Sequence, residues 1–349
     1  MNEKRQIRRS MTASAVLMAA LFLLPVILVE PYPIVSAAQP KPPETEPAEI
    51  RTPVQIVPQV VQEETRLRVL QNGQVMEMAL EEYLVGVVRA EMPASFEPEA
   101  LKAQAVAART YTLYKIVTGG NHAPAADVCT DSTCCQAYLD AASAAENWGE
   151  QAEAYEKKVA QAVANTAGQA ILYGGQPILA VFHAASAGLT REAGEVWSSN
   201  LPYLQAVPSA EVGAEIPNYY SRAEFSTAAF REKVLAAYNG ADLSGSPREW
   251  ITGAATDSAG NVKTVNVGGV TVRGSALRAL LGLRSACFTW EVQGDSLVFF
   301  VTGYGHGVGL SQHGANQMAK NGAGWQEILQ HYYTDVSIGP YRFTNDLQT

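Results

Sequence analysis

Residues 11–29 contain no charged side chain, and just before them stand Lys4, Arg5, Arg8 and Arg9 against a single acid, Glu3. A helix of about 20 apolar residues crosses the hydrocarbon layer of a bilayer, and Lys/Arg on one flank holds that flank in the cytoplasm. The pattern predicts a single-pass membrane anchor over 11–29, behind a basic cytoplasmic tail over 1–10. Val35-Ser36-Ala37 offers a small-residue cleavage site, so a removed signal peptide is the competing reading, although the apolar run exceeds the usual length for one. Either reading places the rest of the chain outside the cytoplasm. A buried core helix fits poorly, because the run opens on a basic cluster and closes into a proline-rich segment.

That segment, 30–62, holds eight prolines and no amphipathic period. Prolines this dense block both helix interiors and sheet ladders, which predicts a semi-extended spacer. The remainder, 63–349, is expected to form one globular body. The chain carries a net charge of −9; the first ten residues hold four cations and one acid, or +3, which leaves −12 for the rest. Such a surface disfavours nucleic acid and offers no polybasic patch for anionic lipid.

Within the body, Thr65–Leu70 and Val75–Met78 flank Asn72-Gly73 and read as a hairpin. From Leu80 the period changes: Leu80, Tyr83, Leu84, Val87 and Val88 make one helical face that ends before Met92-Pro93. Pro98 suits the first turn of a second helix running to about Val117, with close packing on Leu101, Ala105, Ala108 and Thr112. Further helices are expected over 151–167, 225–238, 275–281, 310–319 and 325–332. Strands are expected over 169–173 and 177–183, in short pieces over 249–273, and over 288–293 and 296–301. Strands and helices mix without a repeating strand–helix order, which predicts an α+β body built of helices and short antiparallel hairpins around a cleft.

Four groups of residues could carry chemistry. Glu91 closes the first body helix, where the helix dipole gives a carboxylate no help. If it is partly desolvated its pKa rises, as a general acid requires; otherwise it is an ordinary solvated glutamate. Tyr304-Gly305-His306-Gly307-Val308-Gly309, continuing into Leu310-Ser311-Gln312-His313-Gly314, is a glycine-rich loop with Tyr304, His306, Ser311 and Gln312 as polar groups. It either lines a binding cleft or is a hydrogen-bonded turn, and it lacks the Gly-Lys-Ser/Thr of a phosphate loop. His183 ends a predicted strand and either faces a cleft or sits satisfied near the core. Finally, Cys129, Cys134 and Cys135 fall within seven residues, seven after His122. These four can close a tetrahedral structural zinc site, with a disulfide from Cys129 as the alternative. Four protein ligands would leave zinc no open catalytic position. No Gly-x-Ser-x-Gly elbow and no His-Glu-x-x-His helix occurs, so neither a serine-hydrolase triad nor a zincin is supported.

The stretch YLVGVVRAEMPASFEPEALKAQAVAARTY, Tyr83 to Tyr111, resembles the signature of the stage II sporulation protein D (SpoIID/LytB) family, which also contains amidase-enhancer-like proteins. The likeness continues through 129–138, 181–197, 203–209 and YGHGVGLSQHGANQMA at 304–319. It implies a peptidoglycan lytic transglycosylase that cuts the MurNAc–GlcNAc bond during forespore engulfment, seated in the engulfing mother-cell membrane. The family's catalytic glutamate falls on Glu91, and its cleft loop on Tyr304, His306, Ser311 and Gln312. Its metal set falls on His122, Cys129, Cys134 and Cys135, with Cys134 in place of a histidine. The family's His-Ser-Thr-Ser-Gly-Gly string reads His183-Ala184-Ala185-Ser186-Ala187-Gly188 here and loses two hydroxyls. Implied partners are glycan strands, a sporulation amidase/endopeptidase (SpoIIP) that strips stem peptides first, and a membrane protein (SpoIIM).

One carboxylate suffices for that chemistry. The muramyl C6 hydroxyl, rather than water, attacks C1, so the same glutamate donates a proton and then takes one back, and no cofactor is required. A noncatalytic peptidoglycan-binding activator of a partner amidase is the alternative.

Overall fold

The computed structural model describes residues 65–341, apart from 121, 123, 124 and 198. The first hairpin forms as the sequence predicts: Arg66–Gln71 pairs antiparallel with Gln74–Ala79. Its turn places Asn72 at φ 49° and Gly73 at φ 79°, the left-handed pair that a two-residue hairpin loop needs. Helix Leu80–Glu91 follows at once and buries Leu80, Tyr83, Leu84, Val87 and Val88, the face read from the sequence.

Helix Pro98–Thr118 is the axis of the larger core. Leu101, Ala105, Ala108 and Thr112 are fully buried, and the alanines let neighbouring helices approach. The same helix buries Arg109 completely. That charge is tolerated because it is paired and hydrogen-bonded. Its Nε and one terminal nitrogen donate to Glu81 at 2.9 and 2.6 Å, and its terminal nitrogens also reach the carbonyls of Val163 at 3.2 Å and Gln169 at 3.3 Å. Helices Ala141–Trp148 and Ala152–Ala164, the strands Gln169–Tyr173, Gln176–Pro177 and Ser337–Pro340, and the late helices Gln312–Lys320 and Trp325–Tyr332 complete this core. Distant parts of the sequence are tied at the start of the axial helix: Glu97 N–H donates to Asn316 Oδ1 at 2.8 Å, and Trp325 N–H to Glu99 at 3.1 Å.

A second apolar core lies within residues 220–302. Strand Ser296–Thr302 is flanked antiparallel by Phe288–Gln293 and Tyr220–Ser226, and a second sheet orders Val270–Arg273, Val262–Val267 and Ile251–Thr256. Helices Thr227–Ala237 and Gly274–Leu281 pack with them around Phe230, Trp250 and Phe299. The architecture is α+β, with five small sheets in the described residues.

Several elements differ from expectation. Residues 178–181 leave the predicted strand, and Phe182–His183 pairs instead, in parallel, with Leu310–Ser311. That pairing also takes the first two residues of the helix predicted from Leu310. Phe225 and Ser226 end a strand rather than begin a helix, and Ser226 caps helix Thr227–Ala237 by accepting from Ala229 N–H at 3.2 Å. Helix Ala141–Trp148 was not expected.

The expected transmembrane helix, and the membrane localisation inferred from it, are corrected: among the described residues no helix is long and apolar enough to cross a membrane. The longest, Pro98–Thr118, has the length of a span but carries Glu99, Lys102, Arg109 and Lys115, which a hydrocarbon layer disfavours. The apolar run 11–29, the basic tail before it and the spacer after it lie outside the described residues.

Candidate active site and metal centre

Glu91 is the last residue of its helix, and the chain leaves it in extended conformation at Met92. The side chain is largely buried and receives a hydrogen bond from Ala137 N–H at 2.7 Å. Burial pushes its carboxyl above the usual range, and the Ala137 bond opposes this only in part. The segment bearing Ala137 reaches Glu91 by crossing the helix at Gly86. A Cβ there would meet the Tyr138 ring at 2.1 Å, and Leu139 N–H donates to the Gly86 carbonyl at 3.0 Å. Glycine in mid-helix costs about 1 kcal/mol relative to alanine, and here it makes room for the strand of chain that holds the carboxylate.

Glu91 faces an open cleft of about 780 Å³. The cleft is also lined by Tyr304 and Gln312 from the glycine loop and its helix, and by His313, Asn316 and Arg284. Tyr304 is 47% exposed, which leaves part of its ring open to a ligand, and its backbone is fixed by exchange of two hydrogen bonds with Ala185, at 2.7 and 2.9 Å. Gln312 is nearly buried and donates to Gln104 Oε1 at 3.3 Å. The loop reaches this position through close backbone approach: a Cβ on Gly305, at φ 114°, would stand 2.6 Å from that of His183.

His183, His306 and Ser311 are not among the residues lining the cleft. The two imidazoles lie 5.5 Å apart beneath the loop, and Trp197 packs on His306 at 5.2 Å. Burial depresses both, His183 to about 4 and His306 to about 3, with mutual repulsion and Arg278 adding to the effect on His306. Both are therefore neutral at pH 7. His183 Nδ1 donates to the Val308 carbonyl and His306 Nδ1 accepts from Val308 N–H, each at 3.1 Å, so the pair knots the loop onto strand Phe182–His183. Ser311 is fully buried; its hydroxyl caps the following helix, accepting from Gly314 N–H at 3.3 Å, and donates to Glu211.

Glu211 is a residue that the sequence reading missed. Its Oε1 accepts from Ser186 N–H at 2.9 Å, Ser186 Oγ at 2.8 Å, Ser209 Oγ at 3.0 Å and Ser311 Oγ. Its Oε2 is buried with no hydrogen-bond partner among the described residues. One carboxylate oxygen thus pins three segments behind the cleft. Arg284 and His313 were also missed. The His313 ring packs edge-on against Phe96 at 4.9 Å, and burial lowers its pKa.

Just before Ala137 in the chain, ligand atoms of His122, Cys129, Cys134 and Cys135 all lie within 4.8 Å of one another. Four ligands at the zinc–sulfur distance on tetrahedral corners stand about 3.8 Å apart. The closest pairs match that scale or fall below it: His122 Nε2 to Cys134 Sγ is 3.2 Å and Cys134 Sγ to Cys135 Sγ is 3.9 Å. No disulfide joins the described cysteines. Burial pushes the thiols of Cys129 and Cys135 up, that of Cys135 to about 12, so thiolates here call for a compensating cation. The donor set can hold a metal ion and fits a structural zinc.

The family described as SpoIID, stage II sporulation protein, matches residues 70–173, which include Glu91 and the metal centre. Stage II sporulation protein D of Bacillus subtilis (strain 168) is 39% identical over 269 residues, covering 76% of each chain. The protein of the same name from Bacillus amyloliquefaciens is 38% identical over 268 residues, again 76% of each. The chain belongs to the stage II sporulation protein D family. Similarity extends to the amidase enhancer of Bacillus subtilis (strain 168), 28% identical over 308 residues, which cover 74% of this chain and 40% of that protein. The family match at 70–173 does not include Tyr304, Gln312, Arg284 or Glu211.

Proposed function

We propose that this protein is a peptidoglycan lytic transglycosylase in which Glu91 acts as both acid and base. The observation that carries the reading is the carboxyl of Glu91, desolvated at the edge of an open cleft and held by one backbone hydrogen bond. A raised pKa keeps the proton on the carboxyl to higher pH than an ordinary glutamate would, which favours its donation to a leaving oxygen. Glu91 protonates the oxygen between muramyl C1 and the next sugar, and the C1–O bond breaks. The muramyl C6 hydroxyl then bonds to C1 and gives its proton to the Glu91 carboxylate, which restores the acid and leaves a 1,6-anhydro end. Tyr304 and Gln312 supply a ring face and an amide to the sugars. Ordinary glycoside hydrolysis calls for a second carboxylate. The other one lining the cleft, Glu215, is paired with Lys320 at 3.2 Å and is mostly exposed, which suits neither a desolvated base nor a nucleophile. Zinc at His122, Cys129, Cys134 and Cys135 would stabilise the segment that carries Ala137 and takes no part in the proton transfers.

The similarity to an amidase enhancer favours a second reading, in which the same cleft binds glycan without cutting it and the protein activates a partner wall amidase. Full-length protein and its Glu91→Gln variant, incubated with peptide-free glycan strands and analysed by mass spectrometry, separate the two. Anhydro-ended fragments from the wild type alone are expected. Retention of glycan without products, together with a faster partner amidase, would establish the second reading instead.

A further inference from the structure

Three full cations line the cleft. Arg89 is engaged by Glu156, its Nε donating at 2.8 Å, and Lys320 is engaged by Glu215. Arg284 differs: among the described residues it forms no ion pair, and its guanidinium lies over the Tyr304 ring, 4.6 Å from the centroid. Its backbone is firmly placed. The Arg284 carbonyl accepts from Gly305 N–H at 2.9 Å, and the residue before it is held by Leu283 N–H to the Arg278 carbonyl at 2.9 Å and by Arg278 Nε to the Leu283 carbonyl at 3.1 Å. A guanidinium resting on an aromatic face keeps its edge donors available, and their fork matches a carboxylate in two-point contact. In a chain of net charge −9, a cleft cation without a carboxylate partner needs a ligand-based reason.

We propose that Arg284, steadied on Tyr304, is a specificity residue that binds a carboxylate of the glycan, namely the lactyl carboxylate that muramic acid carries and other N-acetylhexosamines lack. The inference rests on the glycan-binding reading above but not on cleavage, since a noncatalytic binder would use the same contact. It divides the labour in the cleft: Tyr304 and Gln312 meet sugar groups common to both residues of the repeat, and Arg284 sets which of the two sits beside it.

The test uses full-length protein carrying Glu91→Gln, so that no turnover intervenes, and compares binding of peptide-free glycan with binding of a chitooligosaccharide of equal length. A clear preference for the muramic polymer is expected. Adding Arg284→Gln lowers the ratio of the two affinities about tenfold, and Arg284→Lys, which keeps the charge but not the fork, lowers it less. Amidating the lactyl carboxylates reduces binding by the same factor in the Arg284-intact protein and has little further effect on Arg284→Gln. Equal loss for both polymers would show that Arg284 only buttresses Tyr304, and no loss for the muramic polymer would remove it from recognition; either result overturns the assignment. Failure of the Arg284-intact protein to bind either polymer would instead overturn the glycan reading, and the inference with it. Matching thermal melts across the variants guard against misfolding.

Discussion

Glu91 and Glu211 are two glutamates drawn out of water by the same fold, and they are treated in opposite ways. Glu91 accepts one hydrogen bond, from the Ala137 backbone, and its side chain reaches a cleft. Glu211 accepts four on one oxygen, three of them from the hydroxyls of Ser186, Ser209 and Ser311 and one from the Ser186 backbone. Glu211, ringed by donors, serves as a fixed acceptor that ties segments together, whereas Glu91, which loses water without gaining as many donors, has its carboxyl pushed up by burial. Burial alone does not mark a site. What separates the two is how many donors replace the lost water.

The largest effect expected from this contrast is on Glu91. Glu91→Gln is near-isosteric and can still accept from Ala137, so the fold should persist, while release of anhydro-ended fragments falls about 10³-fold or more. Rates measured by product mass spectrometry, with a melt to verify folding, check it; a variant retaining a tenth of the wild-type rate would break the comparison at its centre. Glu211→Ala should act on stability. It leaves the Ser186, Ser209 and Ser311 groups without their shared acceptor and should cost about 3 kcal/mol, read from denaturant midpoints. Glu211→Gln keeps an acceptor oxygen and should recover most of that. If both variants were neutral, Glu211 would not be the knot behind the loop.

The sequence makes one half of this contrast visible and hides the other. Glu91 ends a helix whose apolar face, Leu80 to Val88, has a clear period, and Met92-Pro93 marks the stop, so its place at a chain reversal is readable. The same local signals identify Asn72-Gly73 and Pro98–Thr118. Glu211 has no such signal, because its role exists only when serines 25 residues before it and 100 residues after it converge on one oxygen. The misread elements fail for the same reason. Phe182–His183 and Leu310–Ser311 are two-residue strands that exist only because they pair with each other, too short for any period to show. The sequence leaves His183 open between a cleft and a near-core place, and the glycine loop and the family resemblance put His306 at the cleft. The folded chain uses both, neutral and with their rings tilted against each other, to fasten the glycine loop, and leaves Tyr304 and Gln312 to line the cleft.

The metal centre allows the comparison to be sharpened from a distance. Ala137, the one donor to Glu91 among the described residues, lies two residues after Cys135, and Gln136 between them donates to Thr112 at 3.1 Å. Cys135→Ser should therefore loosen the Ala137 segment as well as the ligand set. A loss of about 2 kcal/mol is expected, or a Tm lower by about 5 °C for a domain of this size. A chelator should lower the wild-type Tm toward that of the variant and leave the variant unchanged. A chelator-insensitive wild type would remove the metal from the argument.

The smallest effect is the most direct test of how Glu91 is held. Its folded-state pKa lies above the ordinary 4.5, so the native state binds the proton more tightly than the unfolded chain does. Above the folded value the buried charge costs stability. As the pH falls through the folded value toward 4.5, that cost disappears, because both states become protonated. Glu91→Gln carries no such cost at any pH. The variant should therefore melt above the wild type at pH 7.5, by a margin that shrinks steadily and closes near pH 4.5, while groups common to both chains cancel in the difference. Cleavage should show the same titration from the other side, since loss of the acid form as pH rises through the folded pKa removes the proton for the leaving oxygen. A melting difference that stayed constant with pH, or favoured the wild type at pH 7.5, would mean that Glu91 is solvated or donor-rich after all. Glu91 and Glu211 would then be two instances of one kind of site.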